Sequence, residues 1–366
     1  MQPAPSSPYQ PIPEPRASLI ARRLVQWYEA HQRALPWRMT KEPYRIWISE
    51  IMAQQTRITA LLPYYERFIE RFPRLQDLAE AAADEVLKAW EGLGYYARAH
   101  NLKKTAEIIA QDHGGVFPHT ERELRALPGI GPYTAGAILS ICYGQTAPAI
   151  DGNVLRVMAR VEANTQDIGR NADKVRQNLT PVLRDIMPAA QASAFSQSLM
   201  ELGALVCLPK NPLCGQCPLQ NLCLAYEQGL QQQLPIRSIE KEKAQAHKTI
   251  FVIVDKQGQV LARRRTERLL NGLWYLYDVD ETLSAPEAEA HLRLLGLDCL
   301  DCQPLGPARH VFTHIVWHMD GFLLRVEQSP PLDGFMWAKP GELAEKAFPT
   351  ALKHYTAVLK GLIKPE

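Results

Sequence analysis

Three groups of residues in this 366-residue sequence are spaced for chemistry. Cys207, Cys214, Cys217 and Cys223 are separated by six, two and five residues, which lets four thiolates converge on one centre. An all-sulfur donor set suits either zinc or an iron–sulfur cluster, so the residues alone leave the metal open. With no secretion signal at the N-terminus, such a cluster indicates metal rather than disulfides. Glu50 shares a predicted helical face with Ile46, Trp47 and Gln54. A carboxyl beside Ile46 and Trp47 loses solvent, and its pKa is expected to rise into the range of a general acid near neutral pH. Asp151 follows the apolar stretch Ala147 to Ile150 and can cap the next helix, whose N-terminus favours the ionised form beside a developing positive charge. An acid that protonates a poor leaving group and an anion that stabilises the cationic centre left behind form a complementary pair. The plain alternatives are a surface glutamate and a simple cap.

A third motif, Leu127-Pro128-Gly129-Ile130-Gly131-Pro132-Tyr133-Thr134-Ala135, sets two glycines before an alanine-rich helix. Glycine permits a left-handed turn, Pro132 suits the first helical position, and the exposed amides can cradle a phosphate.

The elements that must position these residues differ between the two parts of the chain. From Leu19 to about Ala225, apolar residues recur at three- and four-residue spacing, as in Leu24, Trp27, Tyr28 and Leu61, Tyr64, Tyr65, Phe68, which predicts an all-helical domain over 18–227. Residues 228–247 are polar and rich in glutamine and lysine, and read as a linker. Beyond them, Thr249 to Asp255 and Val260 to Arg264 about Gln257-Gly258 predict a hairpin. Strands are expected at His314 to Met319 and Phe322 to Val326, and helices at Pro286 to Leu295 and Thr350 to Ile363, giving a small α+β domain over 248–366. Residues 1–17, with six prolines in the first fifteen, are expected to form a mobile tail.

Composition excludes some classes. Hydrophobic residues at 46% and charged residues at 22% fit a soluble globular protein, and no apolar run is long enough to span a bilayer. The net charge of +2 does not by itself nominate nucleic acid, so any electrostatic footprint must be a local patch. Without a leader, the chain is expected to be cytoplasmic, and a monomer.

The cysteine spacing resembles the [4Fe–4S] loop of the endonuclease III superfamily of helix-hairpin-helix DNA glycosylases, and the Leu127–Ala135 motif resembles the superfamily's hairpin. The resemblance implies iron rather than zinc, with Lys210 inside the loop on a surface that meets phosphate. Trp37-Arg38, Ser49 to Thr56, Gly92-Leu93-Gly94-Tyr95-Tyr96-Ala97-Arg98-Ala99, the hairpin, Asp151-Gly152-Asn153 and the cysteine loop together resemble the MutY-type adenine glycosylases, in that family's order. They cover nearly all of residues 19–225, with Ala53 where the family usually has leucine. The resemblance implies that Glu50 protonates adenine N7, that Asp151 stabilises or attacks the oxocarbenium-like sugar, and that Tyr133 and Asn153 support them. It implies that Gln55 and Tyr95 wedge into the duplex, with Arg38, Thr56, Arg57, Leu93, Gly129 and Gly131 also at the DNA. The implied partner is duplex DNA carrying adenine opposite 8-oxoguanine or guanine. Endonuclease III places a lysine nucleophile where this chain has Tyr133, and a phenol forms no Schiff base, so hydrolysis without efficient strand cleavage is expected. The other readings are a pyrimidine glycosylase with lyase activity, a T:G mismatch thymine glycosylase, which usually lacks a second domain, and a catalytically dead mismatch-binding protein, which would have lost a carboxylate.

In the C-terminal part, Asn271-Gly272-Leu273-Trp274 and His310-Val311-Phe312-Thr313-His314 resemble the Nudix-like domain with which the same family reads 8-oxoguanine. Phe312, Thr313 and His314 stand where the family usually has Phe-Ser-His; threonine keeps the hydroxyl and adds a methyl. The predicted helix Pro286 to Leu295 offers Glu287 and Glu289 but no Arg-Glu-x-x-Glu-Glu pattern, so a binding fold without pyrophosphatase activity is expected.

Overall fold

A computed structural model describes residues 9–238, 242–267 and 269–362. They fall into two compact units: the first takes the described residues of Met1–Ile58, Arg74–Gln76 and Lys104–Glu240, the second those of Thr59–Pro73, Asp77–Lys103 and Lys241–Glu366.

The first unit is helical. Its core joins Ile20, Leu24 and Tyr28 of helix Arg16–His31 to Val154, Val157 and Met158 of Gly152–Val161 and to Phe195, Leu199 and Leu202 of Ala192–Leu205. The i, i+4 pattern read from the sequence is thus the buried stripe of each helix. Helix Pro132–Tyr143 has proline at its start and ends on Gly144 at φ 65°, a left-handed cap that glycine adopts without a Cβ clash. Of the two hairpin glycines, only Gly129 is left-handed, at φ 76°, whereas Gly131 is the extended N-cap at φ −89°.

The expected tail of 1–17 is corrected: Tyr9 and Ile12 are buried in this core and Arg16 opens the first helix, because two apolar side chains among the prolines have a hydrophobic face to cover. Residues 1–8 lie outside the described residues. The linker is also shorter than 228–247, since Leu234 is buried, Ile168 N–H donates to Ile236 O at 3.0 Å, and the first strand begins at Ala244.

The second unit holds helix Ala83–Ala89, most of Ile58–Arg71 and a seven-stranded sheet. Its strands are β1 (Ala244–Val254), β2 (Val260–Arg264), β3 (Trp274–Val279), β4 (Cys299–Pro304), β5 (Ala308–Val311), β6 (Ile315–Val326) and β7 (Met336–Ala338), in the order β4-β6-β1-β3-β2-β7 with β5 also on β6. Alternate residues of β1 serve two cores. Ile250, Val252 and Val254 face Leu352, Tyr355 and Leu359 at helix Lys353–Leu362, while Phe251 and Ile253 face Ala288 and Leu292 of helix Ala285–Leu294. A strand covered on both faces reads as an unbroken apolar run.

Two sequence expectations change here. β1 and β2 pair only at Val254 and Val260 beside the turn, since β3 lies between them farther along the sheet, and the two expected strands after His314 are one strand, β6, running parallel to β1. Pairing partners far along the chain decide both, and local periodicity carries no information about them.

Gly136 marks a point of closest approach. A Cβ there would collide with the main-chain carbonyl of Pro148, which cannot rotate away. Gly136→Ala is therefore expected to destabilise the helical unit by about 1 to 3 kcal/mol, read as a lowered urea midpoint with unchanged slope.

Candidate active site

Helices Pro43–Ala53, Pro132–Tyr143, Gly152–Val161 and Ala192–Leu205 bring their residues to one cleft of about 1210 Å³ in the first unit. Pockets for small molecules are usually about 300 to 1,000 Å³, so this one has room for an extended substrate. Glu50, Tyr133, Asp151, Asn153, Arg38, Gln55, Thr56, Arg57, Gly129 and Gly131 all line it.

Glu50 is 8% exposed, packed as expected in a helix whose Ile46 and Trp47 are each 1% exposed. Burial pushes its pKa up to about 7; the neighbouring Asp151 adds to the rise, while the Tyr133 hydrogen bond and the Arg38 charge oppose it. The Tyr133 hydroxyl donates to Glu50 Oε2 in a short contact and lies 3.7 Å from Met200 Sδ. Asp151 is the N-cap of its helix: Oδ1 accepts Val154 N–H at 2.8 Å and Oδ2 accepts Asn153 Nδ2 at 2.7 Å. Burial raises the Asp151 pKa, and these N–H groups with the charge of Arg156 pull it back. The Asp151 charge acts on Glu50, so the two carboxyls titrate as a pair. Burial thus moves both carboxyls in the same direction, and the N–H donors oppose the rise at Asp151, which favours the proton on Glu50.

Two further networks were not read from the sequence. Glu201 is fully buried and accepts Arg38 Nη1 at 2.7 Å and Nη2 at 2.5 Å, together with Arg33 N at 2.9 Å and Arg33 Nη2 at 2.6 Å. Burial alone would raise its pKa, but these bonds hold it down to about 2. A lone charged residue in the otherwise uncharged helix Ala192–Leu205 was the available signal. Arg156 links the cysteine loop to the site, with Nε donating to Cys207 O at 2.8 Å and Nη2 to Asn153 Oδ1 at 2.7 Å and Gly203 O at 2.8 Å. Gly203 has to be glycine, since a Cβ would stand 2.6 Å from Asn153 Cβ.

Cys207, Cys214, Cys217 and Cys223 ring one pocket walled by Val157, Val161, Leu202 and Leu219. Among the described residues, no three His, Cys, Asp or Glu side chains are grouped as for a single metal ion. Four thiols on apolar walls supply the all-sulfur donor set that an iron–sulfur cluster takes. Arg160, 2% exposed, supplies a compensating cation, with Nη1 at 3.2 Å from Cys207 Sγ. The donor set and its setting thus fit an iron–sulfur cluster.

The remaining site residues lie in the second unit. Tyr95 is 48% exposed and left-handed at φ 48°, as is Gln55 of the cleft at φ 58°; both are uncommon for side chains with a Cβ and recur at functional positions. Leu93 is 8% exposed and packs within the unit. Thr313 and His314 are the exposed tip of the tight β5–β6 turn closed by Phe312 N–H on Ile315 O at 2.9 Å. Phe312 packs edge-on to Trp317 with ring centroids 4.7 Å apart, and the Thr313 and Tyr95 hydroxyls are 3.1 Å apart.

Residues 48–184 match the family model of HhH-GPD superfamily base excision DNA repair proteins, 207–223 the iron–sulfur binding domain of endonuclease III, and 249–357 the NUDIX domain. The fold and site therefore define a helix-hairpin-helix base excision repair protein with an iron–sulfur loop and a Nudix-like domain. The chain is 33% identical to the adenine DNA glycosylase of Mus musculus, covering 90% of this chain and 76% of that one, and 32% identical to that of Homo sapiens, covering 92% and 73%. The helical part is similar to a thermostable thymine-DNA glycosylase structure, with TM-score 0.53 and 26% identity over 58% of this chain and 97% of that one. The chain belongs to the adenine DNA glycosylase family.

Glu50 binds a proton in the fold up to about pH 7 that the unfolded chain releases near 4.5. The folded state therefore loses stability as pH rises between those values, by up to about 3 kcal/mol from this group. Glu50→Gln, which removes the titration and keeps an acceptor for Tyr133, should be more stable than wild type at pH 8 and nearly equal at pH 4.5. Equal urea midpoints at pH 8 would exclude the raised pKa.

Proposed function

We propose that the chain acts as a monomer on duplex DNA, hydrolysing the N-glycosidic bond of adenine paired with 8-oxoguanine or guanine. One observation carries the reading: two carboxyls share a cleft yet face opposite demands, Glu50 driven to about 7 by burial and Asp151 supplied with N–H donors. Neutral adenine leaves poorly, so Glu50 protonates its N7, and Asp151 holds the positive charge that develops on the sugar. Tyr133 orients the acid and Asn153 the anion. The Arg38–Glu201–Arg33 cluster is a rigid wall of the same cleft. The phosphates meet the amides at Gly129 and Gly131 and the cation of Arg57. Gln55 and Tyr95 enter the stack, offsetting the few kcal/mol that extruding the adenine costs. The four cysteines carry a [4Fe–4S] cluster, which supplies no acid or base to this reaction and ties the loop 207–223 together.

The decisive assay compares duplexes carrying A:8-oxoguanine, A:G, T:G or thymine glycol, with and without alkali. Excision of adenine alone, with strand breaks appearing only after alkali, is the expected result; nicking without alkali would favour a lyase. Glu50→Gln should lower adenine excision about 100-fold or more while leaving duplex binding intact. In the wild type, single-turnover excision should fall as pH rises through about 7, where Glu50 loses its proton.

For the partner base, the reading rests on the exposed Thr313 hydroxyl at the hairpin tip, which can meet the N7 hydrogen or the extra carbonyl of 8-oxoguanine. Thr313→Val keeps volume and removes the hydroxyl. It should cut the preference for A:8-oxoguanine over A:G by roughly 5- to 150-fold, the worth of one or two such bonds; an unchanged ratio of rates would remove Thr313 from recognition.

A further inference from the structure

The pocket of the four cysteines has one neutral polar residue in an unusual condition. Gln231 lines it beside Val157, Arg160 and the thiols, and the Gln231 side-chain Oε1 is buried with no hydrogen-bond partner among the described residues. The residue is held in place by the chain around it. Just past the short helix Leu224–Glu227, Leu230 N–H donates to Ala225 O at 2.7 Å, Leu234 N–H donates to Leu230 O at 3.0 Å, and the Leu234 side chain is 3% exposed. A buried amide oxygen without a donor bears its full desolvation penalty. In a pocket lined by four cysteines it is also the wrong pole, because thiolates and sulfides accept hydrogen bonds and donate none. The other end of the carboxamide carries two N–H donors, and a half turn of its terminal bond exchanges the ends.

We propose that Gln231 is an outer partner of the iron–sulfur cluster, its carboxamide turned so that an N–H donates to a sulfur of the cluster or of a ligating cysteine. The inference rests on the cysteine set holding a cluster and is independent of which base the protein excises. Arg160 already places a charged donor on Cys207 Sγ. Gln231 adds a neutral one, and the turn relieves the orphaned oxygen. Hydrogen bonds to sulfur draw charge from a cluster, favour its more electron-rich state and raise its reduction potential. Gln231 is thus a positioning residue for the cluster whose effect appears in the potential.

The test uses full-length, cluster-loaded protein. Gln231→Leu keeps bulk and removes both donors; Gln231→Glu keeps shape and replaces the donor with a negative charge. By film voltammetry both variants should show a more negative cluster potential than wild type, Glu further than Leu, with iron and sulfide content measured alongside. A fully loaded Gln231→Leu protein with the wild-type potential would overturn the proposal. A crystal structure of the loaded wild type decides the matter without a variant: the amide nitrogen within hydrogen-bond reach of a sulfur supports it, and an amide out of reach of every sulfur overturns it.

Discussion

The proposed chemistry depends on a difference in proton affinity between two carboxyls that line the same cleft. Coulomb repulsion disfavours charging both, but does not say which keeps the proton. The distribution of donors breaks the tie. Asp151 collects Val154 N–H and Asn153 Nδ2, both fixed by the start of a helix, while Glu50 sits one helical turn beyond Ile46 and Trp47 with the Tyr133 phenol as its hydrogen-bond partner. Asymmetric solvation by the protein therefore does what two different residue types would otherwise have to do.

That asymmetry is held from behind. Arg156 donates to the Asn153 oxygen and so fixes the amide with its N–H toward Asp151, while also binding the Cys207 carbonyl. Arg160, one turn later, ties the same helix to Leu208 O at 2.7 Å and Leu234 O at 2.8 Å. The cysteine loop thus closes the fold and braces the carboxylate through three successive hydrogen bonds. Gly203 sets the tolerance of this arrangement, because the helix carrying it passes so close to Asn153 that no side chain fits between them.

Residues whose chemistry demands a type at a spacing were legible in the sequence. The four cysteines, Glu50 beside its two large apolar neighbours, and Asp151 at a helix start all declare themselves locally. Glu201, Arg33, Arg156 and Gly203 did not, since each acquires meaning from a partner 40 or more positions away, as with Arg33 and Glu201 at a separation of 168. The same limit applied to the fold. Periodicity gave the helices and most strands, but the insertion of β3 between β1 and β2 and the continuity of β6 are set by pairing across the sheet. Tyr9 and Ile12 were hidden by the prolines around them, although they had only to be apolar to find a place in the core.

The largest departure from a linear reading is the division of the helical segment itself. Residues 77–103 lie within the expected helical domain, yet they belong to the same compact unit as the sheet. Their ties explain why. Asp84 pairs with Arg264 at 2.9 Å and Lys346 at 3.2 Å, and Glu91 accepts Phe348 N–H at 3.0 Å. Tyr96 Oη donates to Phe348 O at 3.3 Å, and a Cβ on Gly272 would stand 2.9 Å from His100 Cε1. The ion pairs are each half-exposed and individually weak. The stronger constraint is steric: Gly272 lets the two backbones approach, and buried Tyr96, Ala347 and Phe348 fill the contact. Tyr95 and Thr313, 218 positions apart in the chain, are thereby fixed to each other with hydroxyls in hydrogen-bond reach. If one side chain enters the stack and the other reads the base opposite adenine, a single compact unit carries both, with the left-handed Tyr95 in hydrogen-bond reach of Thr313.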